Sequence, residues 1–125
     1  MYSPTVWQHA RQPQNAGTLK DPDAQGQATY KRCGDVMEMT FTFKEGRIHQ
    51  VYQKTRGCGA AKAAASLATT LLQGKSLEEA RNLDAFALDK ALGGLPAAKR
   101  HALLMVLQCL HEALGPRESS SASSS

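Results

Sequence analysis

From Val36 to Phe43 apolar and polar residues alternate, with Met37, Met39, Phe41 and Phe43 on one side and Glu38, Thr40 and Thr42 on the other. That is the period of a strand with one buried face. Glu45-Gly46 follows, and the glycine can take the positive φ that a hairpin turn requires. A second strand, Ile48 to Thr55, returns from the turn. If Lys44 pairs with Arg47, the same register carried down the ladder sets Cys33 opposite Cys58, about 5 Å apart between α-carbons. A loop closure different by a residue or two leaves the two cysteines neighbours. Ala28 to Arg32 reads as a third strand beside the hairpin, and Lys20 to Gln27, rich in Asp, Pro and Gly, as loop.

Elsewhere the pattern is helical. Pro4 to Arg11 predicts a short helix, followed by an irregular stretch through Pro13-Gln14-Asn15-Ala16-Gly17. The alanine-rich run Ala60 to Leu72 is a strong helix former that stops at Gly74. Ser76 with Glu79 has capping-box spacing, so a short helix restarts there. Asp84 caps another to about Leu92, ended by Gly93-Gly94, and Pro96 opens a last helix, Ala97 to Leu114, stopped by Gly115-Pro116. The order predicts an α+β fold, a small three-stranded antiparallel sheet packed against several helices. Residues 1–116 form a single domain on this reading, and the serine-rich residues 117–125 cannot bury a core and are expected to be disordered.

Composition narrows the class. The chain has 125 residues, 42% hydrophobic and 21% charged, the balance of one soluble globular domain. No apolar run approaches the roughly 18 residues of a membrane span, and no signal-peptide plan is present, so a cytoplasmic protein without a membrane partner is expected. In that compartment three cysteines read as ligands or core residues rather than as a disulfide framework. The net charge of +4 is dispersed and only seven aromatics (Phe 3, Tyr 3, Trp 1) are available, which argues against nucleic acid as a partner.

The chemistry gathers around two glycine-flanked cysteines, Cys33-Gly34-Asp35 and Gly57-Cys58-Gly59. Cys58 precedes the alanine-rich helix, where free amides and the helix dipole favour a thiolate. Asp35 can add an oxygen. A reduced pair packed at a sheet edge, or an adventitious disulfide, accounts for the cysteines equally well. His101 is the distant ligand candidate, although a solvent-exposed stripe with Gln108 and Glu112 accounts for it too. Cys109 lies about 12 Å further along the helix axis and reads as a small core residue. The residues are compatible with metal or cluster binding, with a zinc site of two Cys, one His and one Asp, or with thiol relay at Cys58 and Cys33 as resolving thiol.

In order and spacing, these segments resemble the U-type iron–sulfur cluster scaffold family, IscU and the amino-terminal domain of NifU. The resemblance includes Tyr2-Ser3, His9, Pro13, Asn15 and Gly17, then Cys33-Gly34-Asp35-Val36-Met37 and Lys54-Thr55-Arg56-Gly57-Cys58-Gly59-Ala60. Ser66-Leu67, Gly74 to Ala80 and Leu92 to Lys99 follow in family order. It implies a scaffold or carrier, not an enzyme, that holds a labile two-iron, two-sulfur cluster, or iron, through Cys33, Asp35, Cys58 and His101; the alternative is zinc in the same site of a cluster-incompetent adaptor or regulator of cysteine desulfurase on the same fold. Implied partners are a cysteine desulfurase, apo iron–sulfur proteins and an Hsp70-type chaperone, the last through Leu95, Pro96 and Lys99. Two departures stand out. The family's third cysteine follows the histidine, and here that residue is Ala102. The family's Leu-Pro-Pro-Val-Lys segment is here Leu95-Pro96-Ala97-Ala98-Lys99, which predicts weaker chaperone recognition.

Overall fold

A computed structural model describes residues 2–116; the serine-rich stretch 117–125 lies outside them. Helix α1 (Pro4–Arg11) starts on Ser3, whose hydroxyl accepts from the Val6 amide, with Pro4 in the first turn, where its missing N–H costs nothing. Three antiparallel strands follow, β1 (Ala24–Tyr30), β2 (Asp35–Lys44) and β3 (Arg47–Arg56), with β2 in the centre. Strand β1 begins four residues earlier than the sequence reading placed it, inside the stretch read as loop. Gly26 and Ala28 are the reason: both are small and inward-facing, and β1 lies so close to the last helix that a Cβ at Gly26 would run into the Cys109 carbonyl.

The β2–β3 hairpin turns through Glu45 (φ 55°) and Gly46 (φ 75°), the left-handed pair of a tight hairpin. Lys44 pairs with Arg47 and Phe43 with Ile48, as expected. Beyond that the register shifts, Thr42 pairing with Gln50, so that His49 is an extra residue bulged out of β3. Polarity explains the shift. The bulge lets Ile48 and Val51, three apart, both face the core. The regular register would have turned Gln50, Tyr52, Lys54 and Arg56 inward instead. Cys33 is therefore not the cross-strand partner of Cys58: pairing ends at Val36 with Arg56, and Cys33 sits in the 31–34 turn between β1 and β2.

Helix α2 (Gly59–Leu72) is buried on nearly every side, as an all-round apolar, alanine-rich helix must be. It packs against α1, β3 and the last helix. The N-terminal arm is tied to it by polar contacts: Ser66 Oγ accepts from the Gln14 amide at 2.7 Å and lies 2.7 Å from His9 Nδ1, and Asn15 donates to Thr69 Oγ1 at 3.0 Å. Helix α3 (Leu77–Arg81) carries the complete Ser76/Glu79 capping box, and Asp84 caps α4 (Ala85–Leu92), which ends at Gly93 in the left-handed region. The last segment differs from expectation. Pro96 opens only a single 3-10 turn, Ala97–Lys99, and α5 (His101–Leu114) starts after it. No helix among the described residues is long and apolar enough to cross a membrane.

Candidate metal centre

Three segments from distant parts of the chain end at one edge of the sheet. Asp35 is the first residue of β2 and is fully buried. Continuing the shifted register sets it opposite Gly57, whose φ of 138° carries the chain from β3 toward α2. Cys58 is the N-cap residue of α2, and its amide donates to Asp35 Oδ1 at 2.9 Å. Its thiol donates to Asp35 Oδ2 at 3.1 Å. His101, the first residue of α5, sets Nε2 2.9 Å from the same oxygen and 4.0 Å from Cys58 Sγ. Cys33 is exposed in its turn, and its sulfur lies within 4.8 Å of an Asp35 oxygen and a His101 ring nitrogen. The structure thus brings Cys33, Asp35 and His101 into one donor group, and Asp35 and His101 also contact Cys58.

The solvent-exposed reading of His101 is overturned. Gln108 and Glu112 are exposed on α5, but His101 is only 9% exposed because the end of the sheet reaches over the first helical turn. Tyr30, at the end of β1 and the cross-strand partner of Asp35, stacks on its ring at 3.9 Å between centroids and 12° between planes. Sequence reasoning missed Tyr30. The available signal was its symmetry with Asp35 about the turn that carries Cys33.

Electrostatics correct a second expectation. Burial pushes the Cys58 thiol up, and the Asp35 carboxylate beside it adds to the effect, outweighing the Ala61 amide and Lys99, which pull the other way. The N-cap position therefore does not lower the thiol's pKa as expected, which weighs against an activated thiolate there. Burial also works to raise Asp35, but hydrogen bonds from His101, the Cys58 thiol and the Cys58 amide prevail and leave its carboxyl below the usual carboxylate range. Cys109 is buried, donates weakly to the Met37 carbonyl at 3.6 Å, and is pushed up to about 12 by burial; it is a core residue.

The candidate donors, Cys33 grouped with Asp35 and His101 and the Cys58 thiol beside them, are chemically suited to zinc or iron and wrong for hard cations that want oxygen alone. A metal ion fits between Cys33, Asp35 and His101 on this geometry. Ala102, in the slot after the histidine, is fully buried and offers no donor. Of the expected partner segment, Leu95 is buried in the core with its amide held by Asp89 Oδ1 at 2.9 Å, whereas Pro96 and Lys99 are partly exposed. A partner reading Leu95 in extended form needs this segment to open.

The fold and site together define a class: a small α+β domain that gathers a Cys/Asp/His donor group at a sheet end. The family model described as NifU-like N terminal domain matches residues 1–121, and the chain belongs to that family. Two relatives from Archaeoglobus fulgidus, named iron-sulfur cluster assembly scaffold proteins IscU 1 and IscU 2, are each 38% identical over 114 residues, spanning 91% of this chain and 74% of theirs. The IscU scaffold protein of Aquifex aeolicus is 36% identical over 115 residues, 90% of this chain and 73% of that one. Among solved structures, a SUF-system scaffold candidate from Fervidobacterium islandicum superposes with a TM-score of 0.76 at 18% identity, covering 90% of this chain and 96% of that one. At that identity the likeness speaks for the fold alone.

Proposed function

We propose that this protein is an iron–sulfur cluster assembly scaffold or carrier that holds a labile two-iron, two-sulfur cluster for transfer to apo-proteins. Cys33, Cys58 and His101 are its ligands on this reading, with Asp35 as the fourth, exchangeable one. The observation that carries it is the convergence of Cys33, Cys58 and His101 on the Asp35 carboxylate, in a chain whose relatives are scaffold proteins by name. Before loading, Asp35 gathers Cys58 and His101 by hydrogen bonds. Loading takes the proton from the Cys58 thiol, so it is favoured by rising pH. The carboxylate oxygen, a harder ligand than thiolate, grips iron less firmly, which suits release over storage. With Ala102 in the third-cysteine slot, Asp35 has no thiolate to yield to. A cysteine desulfurase as sulfur source belongs to this reading, as does weakened recognition by an Hsp70-type chaperone at Leu95, Pro96 and Lys99, with Leu95 exposed on opening of the segment.

Iron and acid-labile sulfide content, with an absorption spectrum, tests the proposal on protein purified anaerobically without added metal. Near-equal iron and sulfide with visible charge-transfer bands is the expected result, strengthened in Ala102→Cys. Stoichiometric zinc, with no visible bands after anaerobic reconstitution of either protein, overturns it in favour of a zinc-stabilised adaptor on the same fold.

A further inference from the structure

The imidazole of His101 is held in an unusual way. A metal-ligating histidine normally donates its remote ring N–H to a carbonyl or carboxylate, which fixes the tautomer and the ring plane. His101 turns Nε2 toward Asp35 and Cys58, and its remote Nδ1 is buried with no hydrogen-bond partner among the described residues. Polar contacts at one corner only, Nε2, leave the ring free to rock about χ2, a torsion with broad wells. The bond to Asp35 is also the contact a metal ion displaces when it enters between Asp35 and His101.

What remains is Tyr30. Its ring lies almost parallel to the imidazole at 3.9 Å, and its backbone is fixed by pairing with Asp35 across β1 and β2. No hydrogen bond of the Tyr30 hydroxyl is found among the described residues, so the contact is one of ring faces. One cross-strand pair therefore restrains the histidine twice, Asp35 at its edge and Tyr30 on its face. We propose that Tyr30 is a positioning residue for the metal site: by stacking, it does for His101 what a hydrogen bond at Nδ1 does elsewhere. The inference rests on the reading of His101 as a ligand.

The test uses the whole chain and Zn2+, with affinity taken from competition against a chromogenic chelator and the His101 ring followed by NMR. Tyr30→Val is expected to weaken Zn2+ binding roughly tenfold, as loss of an outer-sphere partner does, and to broaden the His101 ring signals as the imidazole becomes mobile. Tyr30→Phe keeps the stack and is expected to match the wild type in both readouts. Tyr30→Thr, a second strand-compatible truncation, repeats the comparison should Tyr30→Val fold poorly. Truncations that lower the melting temperature while leaving Zn2+ affinity unchanged and the His101 ring signals sharp overturn the inference. So does a Tyr30→Phe protein that fails with them, since the hydroxyl would then be the active group. His101→Ala separates the two claims: unchanged Zn2+ affinity in that variant removes His101 as a ligand. A weakened His101→Ala beside an unaffected Tyr30→Val removes Tyr30 alone.

Discussion

Asp35 faces Gly57 across the end of the sheet, and its carboxylate fills the space that any Cβ at position 57 would need. The site is built against a main chain stripped of its side chain. Gly57→Ala must both adopt a left-handed φ near 138° and displace the carboxylate. The expected loss of stability is about 1–3 kcal/mol, with weakened metal retention because Cys58 moves with its neighbour. Chemical denaturation and metal analysis on the same preparation check both parts.

The three thiols are expected to react in a fixed order. Cys33 is exposed, Cys58 is partly buried and held protonated beside a carboxylate, and Cys109 is buried and pushed up to about 12. Iodoacetamide labelling of metal-free protein near neutral pH, followed by mass spectrometry, should modify Cys33 first and Cys109 last. Asp35→Asn removes the charge that disfavours the thiolate and should speed labelling of Cys58 severalfold. Equal rates at Cys58 in the two proteins contradict the electrostatic account.

Stability should fall as the solution is acidified through the range of histidine titration, and His9 is one named source. Burial holds its pKa below the ordinary value of 6.5. The Gln14 amide donates to Ser66 Oγ, which leaves the Ser66 hydroxyl hydrogen for His9 Nδ1 in its neutral form. The unfolded chain takes up a proton before the folded one does, so this contribution is full above about pH 6.5 and is lost as pH falls below it. Thermal melting between pH 8 and pH 5 should show a shallower decline for His9→Asn than for the wild type. An identical pH slope in both proteins rules out the His9 contribution.

Cys109 offers a control for ligand assignments. Cys109→Ala should leave metal content unchanged and lower stability by about 1 kcal/mol, the effect of trimming a small buried side chain. A loss of metal in that variant would count against the core assignment.

Much of this arrangement was legible in the chain. Capping signals at Ser76 and Asp84 and the stop at Gly93 act within one helical turn, so local sequence was sufficient to place those elements. Three of the candidate site residues, Cys33, Asp35 and Cys58, were legible as types in glycine settings, and His101 only as a distant candidate. Their mutual geometry was not, because it depends on the bulge at His49. The clue was present in Ile48 and Val51, which share a face only if one residue between them is extra. The burial of His101 was invisible for a different reason. Helical periodicity sorts a helix's own faces but says nothing of a tyrosine and a carboxylate arriving from another strand. Strand β1 was mislaid at its start because glycine and alanine carry little strand preference and earn their place by fitting under α5.

The bulge has a consequence for how such a site survives mutation. A hairpin that closed without it would turn Lys54 and Arg56 toward the core and set Arg56, not Gly57, against Asp35. The slipped pairing is thus penalised by buried cations before any metal is present. The geometry of the candidate site is enforced from further along the hairpin, by Ile48 and Val51, which are not among the candidate donors. A polar replacement of Val51 would act as an error in spelling rather than in vocabulary: every ligand would still be there, brought to the wrong place.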